Sequence, residues 1–199
     1  MSQILLLQSS LNGPASRTNQ LMERFLQTRR EQGHQDQVVV RDLTALDLPA
    51  LDSPLFHALR GAEPANEAIR QAVALSDRLI AELKAADLLL IGAPMYNLNV
   101  PTPLKNWFDL VARARVTFRY TDTYPMGLVE GVNALVFSSR GGVHQGQATD
   151  AVTPYLQSVL GLMGIAEVEF VYAEGMDLHP HGAEQGMREA HARIAGLGR

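Results

Sequence analysis

The chain has 199 residues, of which 46% are hydrophobic and 19% charged, and a formal net charge of −4. That length allows one domain with a substantial core, and so mild a negative charge leaves no basic stripe for a nucleic-acid partner. Cysteine is absent, which excludes disulfides, thiolate metal sites and a cysteine nucleophile.

The chain begins almost at once with the strand-like run Ile4 to Leu7, without the basic and long apolar regions of a signal peptide. No apolar run approaches the roughly 20 residues that span a bilayer, so the expectation is a cytoplasmic protein with no membrane partner. Ile4-Leu5-Leu6-Leu7 is continuous in the manner of a strand buried on both faces. It ends in the polar stretch from Gln8 to Thr18, after which Leu21, Met22, Phe25 and Leu26 form one helical face that closes near Gly33. Val38 to Val40 makes a second strand, and residues 42–64 are irregular, broken by Pro49, Pro54, Gly61 and Pro64.

A long helix follows, with Ile69, Ala72, Val73, Leu79, Ile80 and Leu83 on one stripe. Leu88 to Ile91 is the third strand, leading through Gly92-Ala93-Pro94 into Met95-Tyr96-Asn97-Leu98-Asn99. Leu104, Trp107, Phe108 and Val111 then fall at helical spacing, with Thr102 placed as the N-cap and Pro103 at the first helical position, where its missing N–H costs nothing. Residues 114–131 are again irregular, although Val116, Phe118 and Tyr120 alternate with polar residues as in a short hairpin or edge strand. Ala134 to Phe137 is the fourth strand, Val152 to Met163 a helix, Val168 to Tyr172 the fifth strand, and Met187, Ala190, Ile194 and Leu197 mark a terminal helix. Strands alternating with helices predict an α/β fold over residues 1–199, a parallel sheet with helices on both faces.

Three loops carry the chemistry. The first, Ser9 to Thr18, offers hydroxyls at Ser9, Ser10, Ser16 and Thr18, a turn at Gly13 and a cation at Arg17, all at the opening of a helix. It reads either as a phosphate cradle, because helix N-terminal N–H groups and hydroxyls suit a phosphate monoester, or as a plain cap made by Ser16. The second, Met95 to Asn99, reads either as a βα turn or as a wall against a planar ligand, with Asn97 and Asn99 offering amides to a heterocycle edge. The third, Ser139-Arg140-Gly141-Gly142-Val143-His144, has adjacent glycines whose N–H groups can form a nest for an electron-rich edge, or it is a flexible turn. These loops follow strands one, three and four. In the doubly wound order 2-1-3-4-5, called flavodoxin-like, those strands are neighbours and the switch point lies between strands one and three. A ligand there has its phosphate at the first loop and a flat ring between the other two, which is the shape of FMN.

Four segments carry a resemblance: SSLNGPASRTNQL (9–21), APMYNLNVPTPLKNWFDLVARARVTFRYT (93–121), SSRGGVH (138–144) and VTPYLQSVLGLMGI (152–165). The chain resembles the FMN-dependent NADH:quinone oxidoreductases, the bacterial azoreductase family of the flavodoxin-like superfamily. The resemblance implies that Ser9, Ser10, Ser16, Arg17 and Thr18 hold the FMN phosphate. Pro94, Met95, Tyr96, Asn97 and Leu98 then line the isoalloxazine, and Ser139, Arg140, Gly141 and Gly142 close over its pyrimidine end. It further implies ping-pong hydride transfer from NADH or NADPH through flavin N5 to a quinone or azo compound. Asn97 and Gly141 would tune and stabilise the ring, with Tyr120 and His144 as candidate donors or substrate contacts. The first loop departs from the family's frequent Ser-Gln-Ser by reading Ser16-Arg17-Thr18, and Leu98 stands where many members have Phe.

Family members are homodimers with a shared active site. Segments 42–64 and 114–131, with Phe56, Phe118 and Tyr120, are the expected contributors. The alternative is a flavodoxin-type one-electron carrier, which ordinarily has a more acidic face than −4 provides. A receiver-type domain would need an acidic cluster where Gln8-Ser9-Ser10 stands, a serine hydrolase would need a G-x-S-x-G elbow, and His179 with His181 reads as a polar loop, so no metal is expected.

Overall fold

The computed structural model describes residues 1–197. Strands β1 (Gln3–Gln8), β2 (Gln37–Asp42), β3 (Leu88–Gly92), β6 (Asn133–Ser139) and β7 (Val168–Ala173) form a five-stranded sheet in the order β2-β1-β3-β6-β7, with every pairing parallel. Counted among the strands of this sheet alone, that is the order 2-1-3-4-5 expected from the sequence. Its crossovers are helices α1 (Arg17–Glu31), α3 (Glu67–Ala85), α4 (Thr102–Val111) and α5 (Val152–Met163), and α6 (Gly182–Leu197) closes the described chain.

Alternation along β1 divides its apolar run between two cores. Ile4 and Leu6 face Leu21, Met22 and Phe25 of α1 and Ala190 and Ile194 of α6. Leu5 and Leu7 face the other way, into a cluster with Leu79 and Leu83 of α3, Trp107 and Phe108 of α4, and Leu156 and Leu160 of α5. Both faces of the central strands are therefore dry, which is why they read as unbroken apolar runs. β2 and β7 are the edge strands, and Val38, Val39 and Val40 of β2 remain exposed.

Two local details differ from the sequence expectation, and a third, the hairpin in segment 114–131, agrees with it. Segment 42–64 contains a six-residue helix, α2 (Ser53–Ala58). Asp52 caps it by accepting from Leu55 N at 2.9 Å, and Pro54 sits harmlessly in its first turn. Thr102 is not the N-cap of α4 but its first residue. The N–H groups of Leu104 and Lys105 both donate to Pro101 O, so the turn starts one residue earlier and has no side-chain cap. In segment 114–131, β4 (Phe118–Arg119) pairs antiparallel with β5 (Met126–Gly127). Gly127 lies against Met163 and Gly164 at the end of α5, so the hairpin is seated on that helix terminus.

Candidate functional site

The first loop runs from β1 into α1 at the carboxyl edge of the sheet. Ser16 caps α1 by accepting from Asn19 N at 3.1 Å, and its hydroxyl lies 3.1 Å from that of Thr18. Both hydroxyls are fully buried. Ser9 is buried too, donating to Gly92 O at 2.6 Å, which ties the ends of β1 and β3 together. Ser9, Ser16 and Thr18 thus build the loop, while Ser10 and Arg17 face the cleft beside it. Among the described residues, the Arg17 guanidinium makes only an exposed bond to Gln20, at 3.2 Å.

The second loop closes as a two-residue turn. The backbones of Tyr96 and Asn99 exchange both hydrogen bonds at 3.0 Å, and Asn97 and Leu98 between them have φ of 49° and 64°. This is the type I′ geometry, in which both central residues are left-handed. Asparagine tolerates that conformation, whereas leucine does so at a cost of about 1 kcal/mol. The Asn99 amide oxygen accepts from Val100 N at 2.8 Å, so it is engaged within the loop. The Tyr96 hydroxyl reaches back to the first loop, 3.2 Å from Ser10 Oγ and accepting from Leu11 N at 3.2 Å.

The remaining loops are sewn on in the same way. Met95 N donates to Ser139 O at 2.9 Å, and Arg140 N to Ala173 O at 2.9 Å. In the stretch after β7, which sequence reasoning passed over, Gly175 N donates to Gly142 O, Met176 N to Arg140 O and Asp177 N to Gly141 O, at 2.8, 3.0 and 3.0 Å. Its position was the available signal, since it too follows a parallel strand at the ligand-binding edge.

A cleft of about 330 Å³ lies where these four loops meet. Among the expected residues it is lined by Ser10, Arg17, Pro94, Met95, Tyr96, Ser139, Arg140 and Gly141, and it gains Asn12, Ala15, Met176, Asp177 and Ala183. Asn97 and Leu98 lie at the turn tip, and Gly142 lies beside the His144 ring. His144 Nδ1 is 2.8 Å from Thr149 Oγ1, so that nitrogen is engaged away from the cleft. Tyr120 stands on the hairpin against Phe118 and is exposed, and it does not line the cleft. Among the described residues, the N–H groups of Asn97, Leu98, Gly141 and Gly142 donate to no protein acceptor. Gly141 lines the cleft and the other three lie on the loops that form it, and unpaired donors there call for an acceptor-rich ligand or water.

A family model described as flavodoxin-like fold matches residues 2–197. The chain is 66% identical to FMN-dependent NADH:quinone oxidoreductase 4 of Burkholderia lata over 197 residues, covering 99% of both chains. It is 51% identical to the FMN-dependent NADH:quinone oxidoreductase of Aeromonas salmonicida, with the same coverage. The chain belongs to this oxidoreductase family. Among solved structures, an azoreductase from Bacillus anthracis aligns with a TM-score of 0.86 at 28% identity, covering 100% of this chain and 99% of that one.

The residues at the cleft fit the FMN of the family's name. Arg17 and the first turn of α1 offer charge and N–H groups to a phosphate, Met95 and Tyr96 offer a flat wall, and the unpaired N–H groups match the carbonyl-rich edge of a flavin. Arg140 has both backbone groups engaged within the protein, its N–H donating to Ala173 O and its carbonyl accepting from Met176 N. Its guanidinium is fully buried beneath the third loop. There it bonds Ser138 Oγ at 3.2 Å, Glu174 Oε1 at 3.2 Å and Thr153 Oγ1 at 2.9 Å, pairs with Asp150 at 3.0 Å and stacks over the Tyr172 ring at 4.6 Å. Glu174 Oε1 also accepts from the backbone N–H groups of His144 and Gln145, each at 2.8 Å. The carboxylate therefore engages the later donors of the loop, and those of Gly141 and Gly142 stay free. Burial alone would push the Asp150 carboxyl up, but its hydrogen bonds from Arg140 and Thr153 outweigh that and hold it below the usual range.

Proposed function

We propose that this chain is an FMN-dependent NAD(P)H:quinone oxidoreductase that also reduces azo compounds. One observation carries the reading. At the carboxyl edge of β1, β3, β6 and β7, four loops are fixed to one another by hydrogen bonds, yet among the described residues they leave the N–H of Gly141 unpaired in the cleft and those of Gly142, Asn97 and Leu98 unpaired on the same loops. Bound FMN supplies the two-electron hydride chemistry. Arg17 and the opening of α1 hold the phosphate, with Ser10 beside them. Met95 and Tyr96 cover one ring face and leave the other to solvent and substrate. Gly141 and Gly142 donate to the pyrimidine end and stabilise negative charge there. Asn97 and Leu98 present N–H groups to the opposite part of the ring edge. Because donor and acceptor use the same open face in turn, the kinetics are ping-pong. Water protonates the product, since neither Tyr120 nor His144 lines the cleft.

The purified protein should show flavin absorbance that NADH bleaches and a benzoquinone restores. Bound flavin that NADH leaves unbleached would sink the reading.

The active unit proposed is a cytoplasmic homodimer with a shared pocket. Exposed Tyr120, Tyr124 and Met126 on the hairpin, together with Phe56 on α2, support it. Phe118, by contrast, is buried within its own chain. Sedimentation should give twice the 21.8 kDa chain mass, and replacing Tyr124 and Met126 with Ser should shift the population toward single chains.

A further inference from the structure

We propose that Asp177 sets the redox balance of the bound flavin, by holding a negative charge against the donors that receive charge on reduction. The inference rests on the FMN reading above. It concerns a residue in the fifth strand–helix loop, outside all three loops singled out by sequence.

Among the described residues, Asp177 is the sole acidic side chain lining the cleft. Its place is set by its backbone, which donates to Gly141 O at 3.0 Å. Its carboxylate lies so close to Gly141 that a Cβ on that glycine would collide with Oδ2. The absent side chain of Gly141 is thus what lets a carboxylate approach the nest. Among the described residues, neither carboxylate oxygen accepts a hydrogen bond from the protein. Glu174, three residues earlier, is different: its Oε1 is engaged by Arg140, His144 and Gln145. Of the two carboxylates at this loop, Glu174 serves the fold and Asp177 faces the ligand.

The electrostatic consequence has a definite sign. The free N–H groups of Gly141 and Gly142 favour a ring edge that gains negative charge. A carboxylate beside them opposes the same charge. Oxidised FMN carries no added charge on that edge, so Asp177 affects the oxidised complex little and weakens the reduced one. Arg17, also at the cleft, compensates the phosphate in both redox states and does not cancel the difference. Asp177 is exposed, so its effect is partly screened and falls as salt rises.

The test is Asp177→Asn, which keeps the backbone bond and the side-chain shape and removes the charge. Dissociation constants for FMN, by fluorescence quenching, should change less than twofold in the oxidised state. Anaerobic potentiometry should show reduced flavin bound about tenfold more tightly relative to oxidised flavin. For a two-electron couple that is a positive shift of about 30 mV, and it should shrink in high salt. Glu167→Gln removes the same charge at the opposite edge of the sheet, just before β7, and should leave the potential unmoved. An unshifted potential in Asp177→Asn, or an equal shift in Glu167→Gln, overturns the proposal while leaving the FMN reading standing. A wild-type protein that binds no flavin overturns both.

Discussion

Replacing Arg140 with Met should cost about 3–5 kcal/mol, the range for removing one partner of a buried ion pair, and lower the thermal midpoint by roughly 6–20 °C. The guanidinium is wholly enclosed, and its loss leaves the largely enclosed carboxylates of Asp150 and Glu174 without the cation they share. Converting those carboxylates as well, in the Arg140→Met, Asp150→Asn, Glu174→Gln triple variant, should recover part of the loss, because the like charges then disappear together. The pH dependence gives a second signature. Asp150 titrates below its ordinary value in the native state, so its contribution to stability is present above about pH 4 and fades as pH falls through the lower native value. Since Arg140 helps hold it there, the stability gap between wild type and Arg140→Met should narrow below about pH 4. Urea titrations across pH 2.5 to 7 measure both effects; a single-variant cost under about 1 kcal/mol would show the cluster to be solvated in solution.

A loss of about 3 kcal/mol is expected from Gly127→Ala, because the added Cβ would meet backbone atoms of Met163 and Gly164 rather than a side-chain tip that could swing away. Either the hairpin lifts from the end of α5 or that helix terminus unwinds. Gly161→Ala, on the exposed face of the same helix, meets nothing within 4 Å. There the expected change is a gain of about 0.5–1 kcal/mol, since alanine restricts the unfolded chain and favours helix. Opposite signs for two Gly→Ala changes in contact with one helix are a strict check; equal effects in thermal melts would refute the seating of the hairpin.

The fold was legible because the strongest signals coincide with the strongest physics. Ile4–Leu7 and Leu88–Ile91 are apolar without a break because helices cover both faces, and the 3.6-residue stripes between them mark those helices. Short features were harder to read. α2 is six residues long and rests on the Asp52 cap and one turn, so the prolines around it read as breakers. At Thr102 a plausible capping side chain lost to a backbone solution one residue earlier.

At the cleft, the sequence identified the right loops but not the direction of each side chain. Ser9, Ser16 and Arg140 have the chemistry of phosphate or ring ligands, yet each is consumed inside the protein. Nothing in residue type distinguishes a hydroxyl facing a ligand from one bonded to Gly92 O. Asp177 escaped notice for the converse reason. It sits among ordinary loop residues, and only the tertiary contact with Gly141 gives it a role.

The loop-to-loop hydrogen bonds also bear on how the cofactor arrives. Tyr96 joins the first loop to the second, Met95 joins the second to the third, and Gly175, Met176 and Asp177 join the last to the third. None of these bonds requires a ligand atom. Hydrogen exchange at the loop amides is therefore expected to change little when FMN is added, since these bonds leave little ordering entropy to be lost on binding. Removing FMN should then leave a folded apoprotein that takes the cofactor up again without passing through the unfolded chain.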